Sequence, residues 1–83
     1  MNARETILQI LSARGTGKTA CPSEAARSLA GPDGHWRAHM DAVHREVDRL
    51  VAERRIALSW KGQALPRRDG PYRMRLASPN DAE

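Results

Sequence analysis

The sequence is poor in aromatic residues and cysteine, and it has no long apolar run. Its 83 residues include no phenylalanine and only three aromatic residues, Trp36, Trp60 and Tyr72, so each tryptophan is expected to anchor part of the core. The single cysteine, Cys21, excludes an intramolecular disulfide, which is typical of proteins in a reducing cytosol. No stretch approaches the ~20 apolar residues that a membrane span needs, and residues 1–5 lack the features of a signal peptide. We therefore expect a cytoplasmic protein without membrane contact.

Positive charge is concentrated in the last third of the chain. Between Ile56 and Leu76, a single acid, Asp69, stands against five bases, which are Lys61, Arg67, Arg68, Arg73 and Arg75. The first 55 residues hold nine bases and seven acids, and residues 77–83 add two acids, so the whole chain carries +4. A charge of this sign favours an anionic partner, although a basic composition alone indicates only non-specific attraction.

Apolar spacing predicts three helices. Residues recur at the helical period in three stretches, from Ala3 to about Ala13, from Pro22 to about Leu29 and from His35 to about Arg54. The residue before or near the start of each stretch is a predicted N-cap, in order Asn2, Cys21 and Asp33.

Two strands are predicted to follow the helices. Apolar residues alternate with small or basic ones in Ile56–Trp60 and in Tyr72–Leu76, and residues 61–71 between them carry glycine and proline turn signals. The fold class expected from this order is mainly α with a small β-hairpin (α+β), similar to a winged helix-turn-helix, with three helices followed by a two-stranded wing. A chain of this length is expected to form a single domain over residues 1–77, followed by a disordered tail, residues 78–83.

Three further features have both a functional and a structural interpretation. Gly17–Thr19 ends like a phosphate-binding loop, but an amphipathic helix precedes it where that motif needs a buried strand, which favours an ordinary turn. Cys21 occupies a helix N-terminus, a position that favours a reactive thiolate, and the alternative is a simple cap. His35, His39 and His44 lie close in sequence, but a structural zinc site needs four ligands, usually including thiolates. No metal and no cofactor is predicted.

Several runs of residues together resemble a known family. They are Gly17–Glu24, Ala26-Arg27, Trp36-Arg37 with Met40, and Gly70-Pro71 with Arg73. The pattern extends from the first helix to Leu76 and resembles a small bacterial winged-helix family that is catalogued as a domain of unknown function, DUF3253. The resemblance implies a fold of three helices and a wing, related to helix-turn-helix domains, and it implies no known activity, ligand or catalytic residue.

The third helix and the basic hairpin together predict a protein that binds double-stranded DNA and is not an enzyme. The helix would approach the major groove, and the wing would hold the adjacent phosphate backbone. The predicted contact residues are Arg37, His44 and Arg45 in the helix and Lys61, Arg67, Arg68 and Arg73 in the wing.

Two alternatives stay open from the sequence. Bases and acids nearly balance in the third helix, which suits a protein surface better than a phosphate backbone. A protein–protein interaction adaptor of the same fold, without nucleic-acid binding and with Trp60 as an exposed anchor, is therefore the main rival. The other alternative is an enzyme or redox sensor that uses Cys21. The oligomeric state is also left open.

Overall fold

The first helix begins at the predicted cap. The computed structural model describes residues 2–32 and 34–77, and α1 spans Ala3–Arg14. The side chain of Asn2 accepts a hydrogen bond of 2.8 Å from the backbone N–H of Glu5, which satisfies one of the free donors at this helix end. Gly15 ends the helix with φ of 103°, and its N–H donates to the carbonyl of Leu11 at 3.0 Å.

The second helix, α2, spans Pro22–Ala30 and is joined to α1 through its first turn. The carboxylate of Glu24 accepts a hydrogen bond of 2.8 Å from the N–H of Cys21, as a capping box requires. The same carboxylate accepts from the Arg14 guanidinium at 3.0 Å, and this contact lowers the pKa of Glu24. The predicted bounds of the first two helices, Ala3 to about Ala13 and Pro22 to about Leu29, agree with the observed ones to within one residue.

The third helical stretch has two parts. A 3-10 turn spans Trp36–His39, and the helix α3 continues over Met40–Ala52. The prediction placed the end two residues too late, at Arg54, which instead adopts a left-handed conformation with φ of 61°. The N–H of Arg54 donates to Val51 and that of Arg55 to Leu50, at 3.0 and 2.9 Å, which is the pattern of a Schellman motif. The predicted cap of this helix, Asp33, lies outside the described residues.

The hairpin is a sheet of three strands, so the prediction of a two-stranded wing is wrong. The strands are β1, Ile56–Trp60; β2, Gln63–Leu65; and β3, Arg73–Leu76, and they lie antiparallel in the order β2-β1-β3. Strand β2 lies inside the stretch predicted as a loop. It begins after a two-residue turn in which Lys61 and Gly62 both have positive φ, 51° and 80°, as hairpins with the twist of β-strands require.

A further bridge ties the helices to the sheet. Ala20, in the connection between α1 and α2, exchanges two backbone hydrogen bonds of 2.8 Å with Met74 of β3. Within the sheet, Leu58 lies opposite both Met74 and Leu65. Ala20 therefore acts as a one-residue fourth strand beside β3.

The core lies between the three helices and one face of the sheet. Its buried residues come from the helices, from β1 and β3, and from the connections at Ala20 and Tyr72. They are Ile7, Leu11, Ala20, Ala25, Ala26, Val43, Val47, Leu50, Ile56, Leu58, Tyr72 and Met74. The fold is α+β, with three helices and one three-stranded antiparallel sheet. Across residues 2–32 and 34–77, no helix has both the length and the apolar character to cross a membrane.

Candidate functional site

The segment that connects β1 to β3, residues 61–72, is held against α3 by an ion pair. We call it the connecting segment; it contains β2. Arg68 donates from Nε and Nη2 to the two carboxylate oxygens of Asp48, and both distances are 3.0 Å. These hydrogen bonds lower the pKa of Asp48 and raise that of Arg68. The charge of Arg68 is therefore matched by a carboxylate within the same molecule.

A second contact joins the same two parts. The hydroxyl of Tyr72, a residue only 4% exposed, lies 2.6 Å from Nδ1 of His44 on α3. Burial raises the pKa of Tyr72, so the hydroxyl keeps its proton at pH 7 and forms a neutral hydrogen bond with the imidazole. Burial also lowers the pKa of His44, with a smaller contribution from the charge of Arg68. His44 is thus neutral at pH 7, and it fixes the connecting segment rather than adding positive charge.

Arg45 and Arg67 are exposed on either side of this ion pair. Arg45 borders a shallow depression together with Asp41, His44 and Arg68. Arg67 borders a neighbouring depression that also includes Asp48 and Arg68. Lys61 is exposed in the turn between β1 and β2. These three predicted cations are free to face a ligand.

Acidic residues of α3 are compensated by α1, which the sequence did not predict. The guanidinium of Arg4 donates to Glu46 and to Glu53, with distances of 2.9 Å to each. Arg49 also donates to Glu46, at 3.1 Å. Counting charges along α3 alone therefore underestimates how positive its surroundings are. Because Arg4 lies 42 and 49 residues from its partners, no periodicity in the sequence could have identified these pairs.

Two of the other predicted contact residues are engaged within the molecule. Arg73 donates from Nε to the hydroxyl of Thr19 at 2.8 Å, so it ties β3 to the connection between α1 and α2. Arg37 stacks on its neighbour Trp36, with its guanidinium carbon 4.5 Å from the ring centroid. Arg27 of α2 stacks on the same ring at 4.6 Å. Arg27 was not among the predicted site residues, and no signal in the sequence placed it beside Trp36.

The other features considered in the sequence do not join this site. Gly17 turns the chain with φ of 79°, and Cys21 is a partly buried free cysteine at the start of α2. Within the described part of the chain, no group of three or more histidine, cysteine or acidic residues has the arrangement of a metal site.

Residues 1–77 match the model of a family described as "Protein of unknown function (DUF3253)". None of the curated proteins matches the chain.

Proposed function

Because the chain belongs to the DUF3253 family, for which no function is described, we propose a function from its own structure: a winged-helix domain that binds duplex DNA through α3 and the connecting segment. The order of elements supports the fold assignment. One helix is followed by the bridge at Ala20, two further helices and then the hairpin. In helix-turn-helix proteins the second helix of the pair enters the major groove, and here that helix is α3.

The connection between the two helices departs from the usual one. Five residues separate the end of α2 at Ala30 from the 3-10 turn that begins at Trp36, whereas helix-turn-helix domains commonly use three or four. The 3-10 turn therefore occupies the position of the first turn of the helix that enters the major groove. Base-edge contacts are accordingly expected from Arg45, within α3, in preference to residues of the 3-10 turn.

The observation that carries the proposal is the ion pair between Arg68 and Asp48. It fixes the connecting segment beside the exposed side of α3, so that Arg45 and Arg67 flank one surface. Exposed cations on such a surface bind phosphates because they displace condensed counterions from DNA. We assign phosphate or base contacts to Arg45, Arg67 and Lys61.

The remaining predicted residues have other roles in this proposal. His44, Arg68 and Arg73 position the surface, since each is bonded to another part of the protein. Arg37 is left out of the DNA surface because it lies with Arg27 at Trp36 and borders neither of the two depressions beside the ion pair.

The test is a titration of a labelled random-sequence duplex by fluorescence anisotropy, at about 50 and 200 mM salt. The wild type is expected to bind in the micromolar range and to weaken steeply as salt increases. The double variant Arg45→Gln/Arg67→Gln should bind more weakly, and its salt slope should be about two units smaller. The matched control, Arg27→Gln/Arg37→Gln, removes the same charge from another surface and should keep the wild-type slope. Absence of binding at low salt, or equal slope losses in both variants, would contradict the proposal.

A second candidate function is a protein-interaction adaptor, and the exposure of Trp60 favours it. Trp60 lies at the end of β1 and is 38% exposed, the one exposed large hydrophobic residue in the described part of the chain. Aromatic residues of this kind are enriched among interface hot spots. If the protein is an adaptor, the wild type does not bind duplex DNA, and Trp60→Ala disrupts a protein complex that Arg45→Gln/Arg67→Gln leaves intact. Co-purification of partner proteins from cells, with the wild type and both variants in parallel, measures the loss of the complex. The anisotropy titration of the purified wild type measures DNA binding.

A further inference from the structure

A separate cluster lies where α2 meets the 3-10 turn. It consists of Arg27, Trp36 and Arg37, and we call it the arginine–tryptophan cluster. The guanidinium carbons of the two arginines lie 4.6 and 4.5 Å from the centroid of the indole ring. Trp36 is half-buried, and both arginines are exposed. Two cations are thus fixed beside an aromatic ring at the surface.

Among the described residues, no hydrogen-bond partner is found for the side chain of either stacked arginine. A guanidinium stacks through its flat face, and its five N–H donors point outward from the edge. No carboxylate in residues 2–32 and 34–77 forms an ion pair with either Arg27 or Arg37. Because the ring already restricts both side chains, a ligand that binds them loses less rotamer freedom than it would at a free arginine.

An apolar depression adjoins the cluster. Its lining consists of Arg27 and Trp36 together with Ser28, Gly31, Pro32 and Gly34. At Gly34 the backbone packs so closely on α2 that a Cβ atom would lie 2.1 Å from the carbonyl oxygen of Ala30. A side chain at this position would therefore require the turn to move. Because Gly34 has no side chain, the turn stays in place and the depression stays open.

We propose that the arginine–tryptophan cluster binds an acidic segment of a partner protein, independently of the DNA surface. Carboxylates of the segment pair with the edges of Arg27 and Arg37, where bidentate hydrogen bonds are geometrically favoured. An apolar side chain next to those carboxylates occupies the depression beside Trp36. A peptide offers both groups within a few residues, whereas a phosphate backbone offers charge without the apolar side chain that the depression fits.

Trp36 itself reports on the binding. In the variant Trp60→Phe it is the only tryptophan of the chain, so its emission can be followed while peptides are added. The probes are six-residue peptides with two glutamates two to five positions apart and a leucine between them, and matched peptides with glutamine in place of glutamate. At least one glutamate peptide should change the emission saturably and bind about tenfold or more tightly than its glutamine counterpart, because two charge-assisted hydrogen-bonded pairs are lost in the latter.

Variants in the arginines separate this site from the DNA surface. Starting from Trp60→Phe, the further changes Arg27→Gln and Arg37→Gln should abolish peptide binding, whereas Arg45→Gln, which removes one exposed charge elsewhere, should leave it unchanged. Circular dichroism checks that each variant is folded. If no glutamate peptide binds, or if Arg45→Gln weakens peptide binding as much as the arginine changes do, the proposal is wrong.

The last experiment is a competition between the peptide and the labelled duplex. Peptide and duplex should bind the same protein together, without competition. If the duplex displaces the peptide, and Arg27→Gln/Arg37→Gln also lowers duplex affinity, the cluster belongs to a nucleic-acid surface and the peptide proposal is overturned. Failure of the wild type to bind duplex leaves the peptide titration interpretable, since that titration contains no DNA.

Discussion

Removal of the ion pair between Asp48 and Arg68 should loosen the connecting segment with a small effect on global stability. The pair is bidentate, but its side chains are 49% and 36% exposed. Exposed pairs typically contribute 0.2–1 kcal/mol because water screens the charges, and two aligned hydrogen bonds favour the upper part of that range. We expect a coupling energy of about 0.5–1 kcal/mol between Asp48→Ala and Arg68→Ala.

The assay is a double-mutant cycle by urea unfolding of the wild type, the two single variants and the double variant. At low salt the coupling should be measurable, and in 1 M salt, where the Debye length is about 3 Å, it should largely vanish. Acid should have a similar effect. Arg68 holds the pKa of Asp48 below its unfolded value, so this contribution is present above about pH 4 and is lost as pH falls through the lowered folded-state pKa.

A local measurement complements the cycle. Amide exchange of residues 67–70 should become faster in Asp48→Ala at a free energy well below that of global unfolding, because only the connecting segment opens. A coupling energy of zero at low salt would refute the reasoning, as would one that does not change with salt. In either case the ion pair would not restrain the segment in solution, and the surface formed by Arg45 and Arg67 would lose its support.

Two further predictions concern the turn and the histidine. Gly62→Ala should destabilise the protein by about 1–2 kcal/mol in urea unfolding. The φ of Gly62 is 80°, and a Cβ there would meet nothing within 4 Å, so the whole cost is that of the left-handed backbone. Unchanged stability would mean that the turn has another conformation. Stability should also fall as pH decreases below about 6.5. Burial and the charge of Arg68 lower the pKa of His44 in the folded protein, against the opposite effect of Asp41 and Asp48. Below this pH the unfolded chain therefore binds more protons than the folded protein does. His44→Gln should flatten this part of the profile, and an identical slope would count against the contact with Tyr72.

The positions of the long elements and the ends of α1 and α2 could be predicted from the sequence, whereas the end of α3 and the short strand could not. Apolar periodicity identified α1, α2, the centre of α3 and β1, because each buries one face in the same core. The end of α3 was missed since the left-handed position of its Schellman motif is occupied by Arg54, where a glycine is usual. Strand β2 was missed for a related reason. Its turn is Lys61-Gly62 rather than the asparagine–glycine pair that signals such hairpins, and three residues are too few to show alternation.

The candidate site was predicted as a set of cations but not as an arrangement. Sequence position identified Arg45 and Arg67 as exposed bases, which they are. It gave no information about which cations have internal partners, because those partners are distant in the chain. Arg68 and Asp48 are 20 residues apart, and His44 and Tyr72 are 28 residues apart. Such pairings depend on how β3 and the connecting segment return to α3, which follows from the packed fold and not from local pattern.

This arrangement changes the number of phosphates that the protein is expected to neutralise. If all six cations predicted as contacts bound DNA, the logarithm of the affinity would fall with the logarithm of salt at a slope of about −5, taking about 0.9 per phosphate. Arg68 and Arg73 have internal partners, and Arg37 borders neither depression beside the ion pair. This leaves Arg45, Arg67 and Lys61 and a slope of about −3. The internal contacts also order the connecting segment before DNA binds, so the entropic cost of association is reduced. A measured slope near about −4, one phosphate contact more, would show that the ion pair with Asp48 opens on DNA, whereas a slope near about −3 is the result expected for a segment that stays in place.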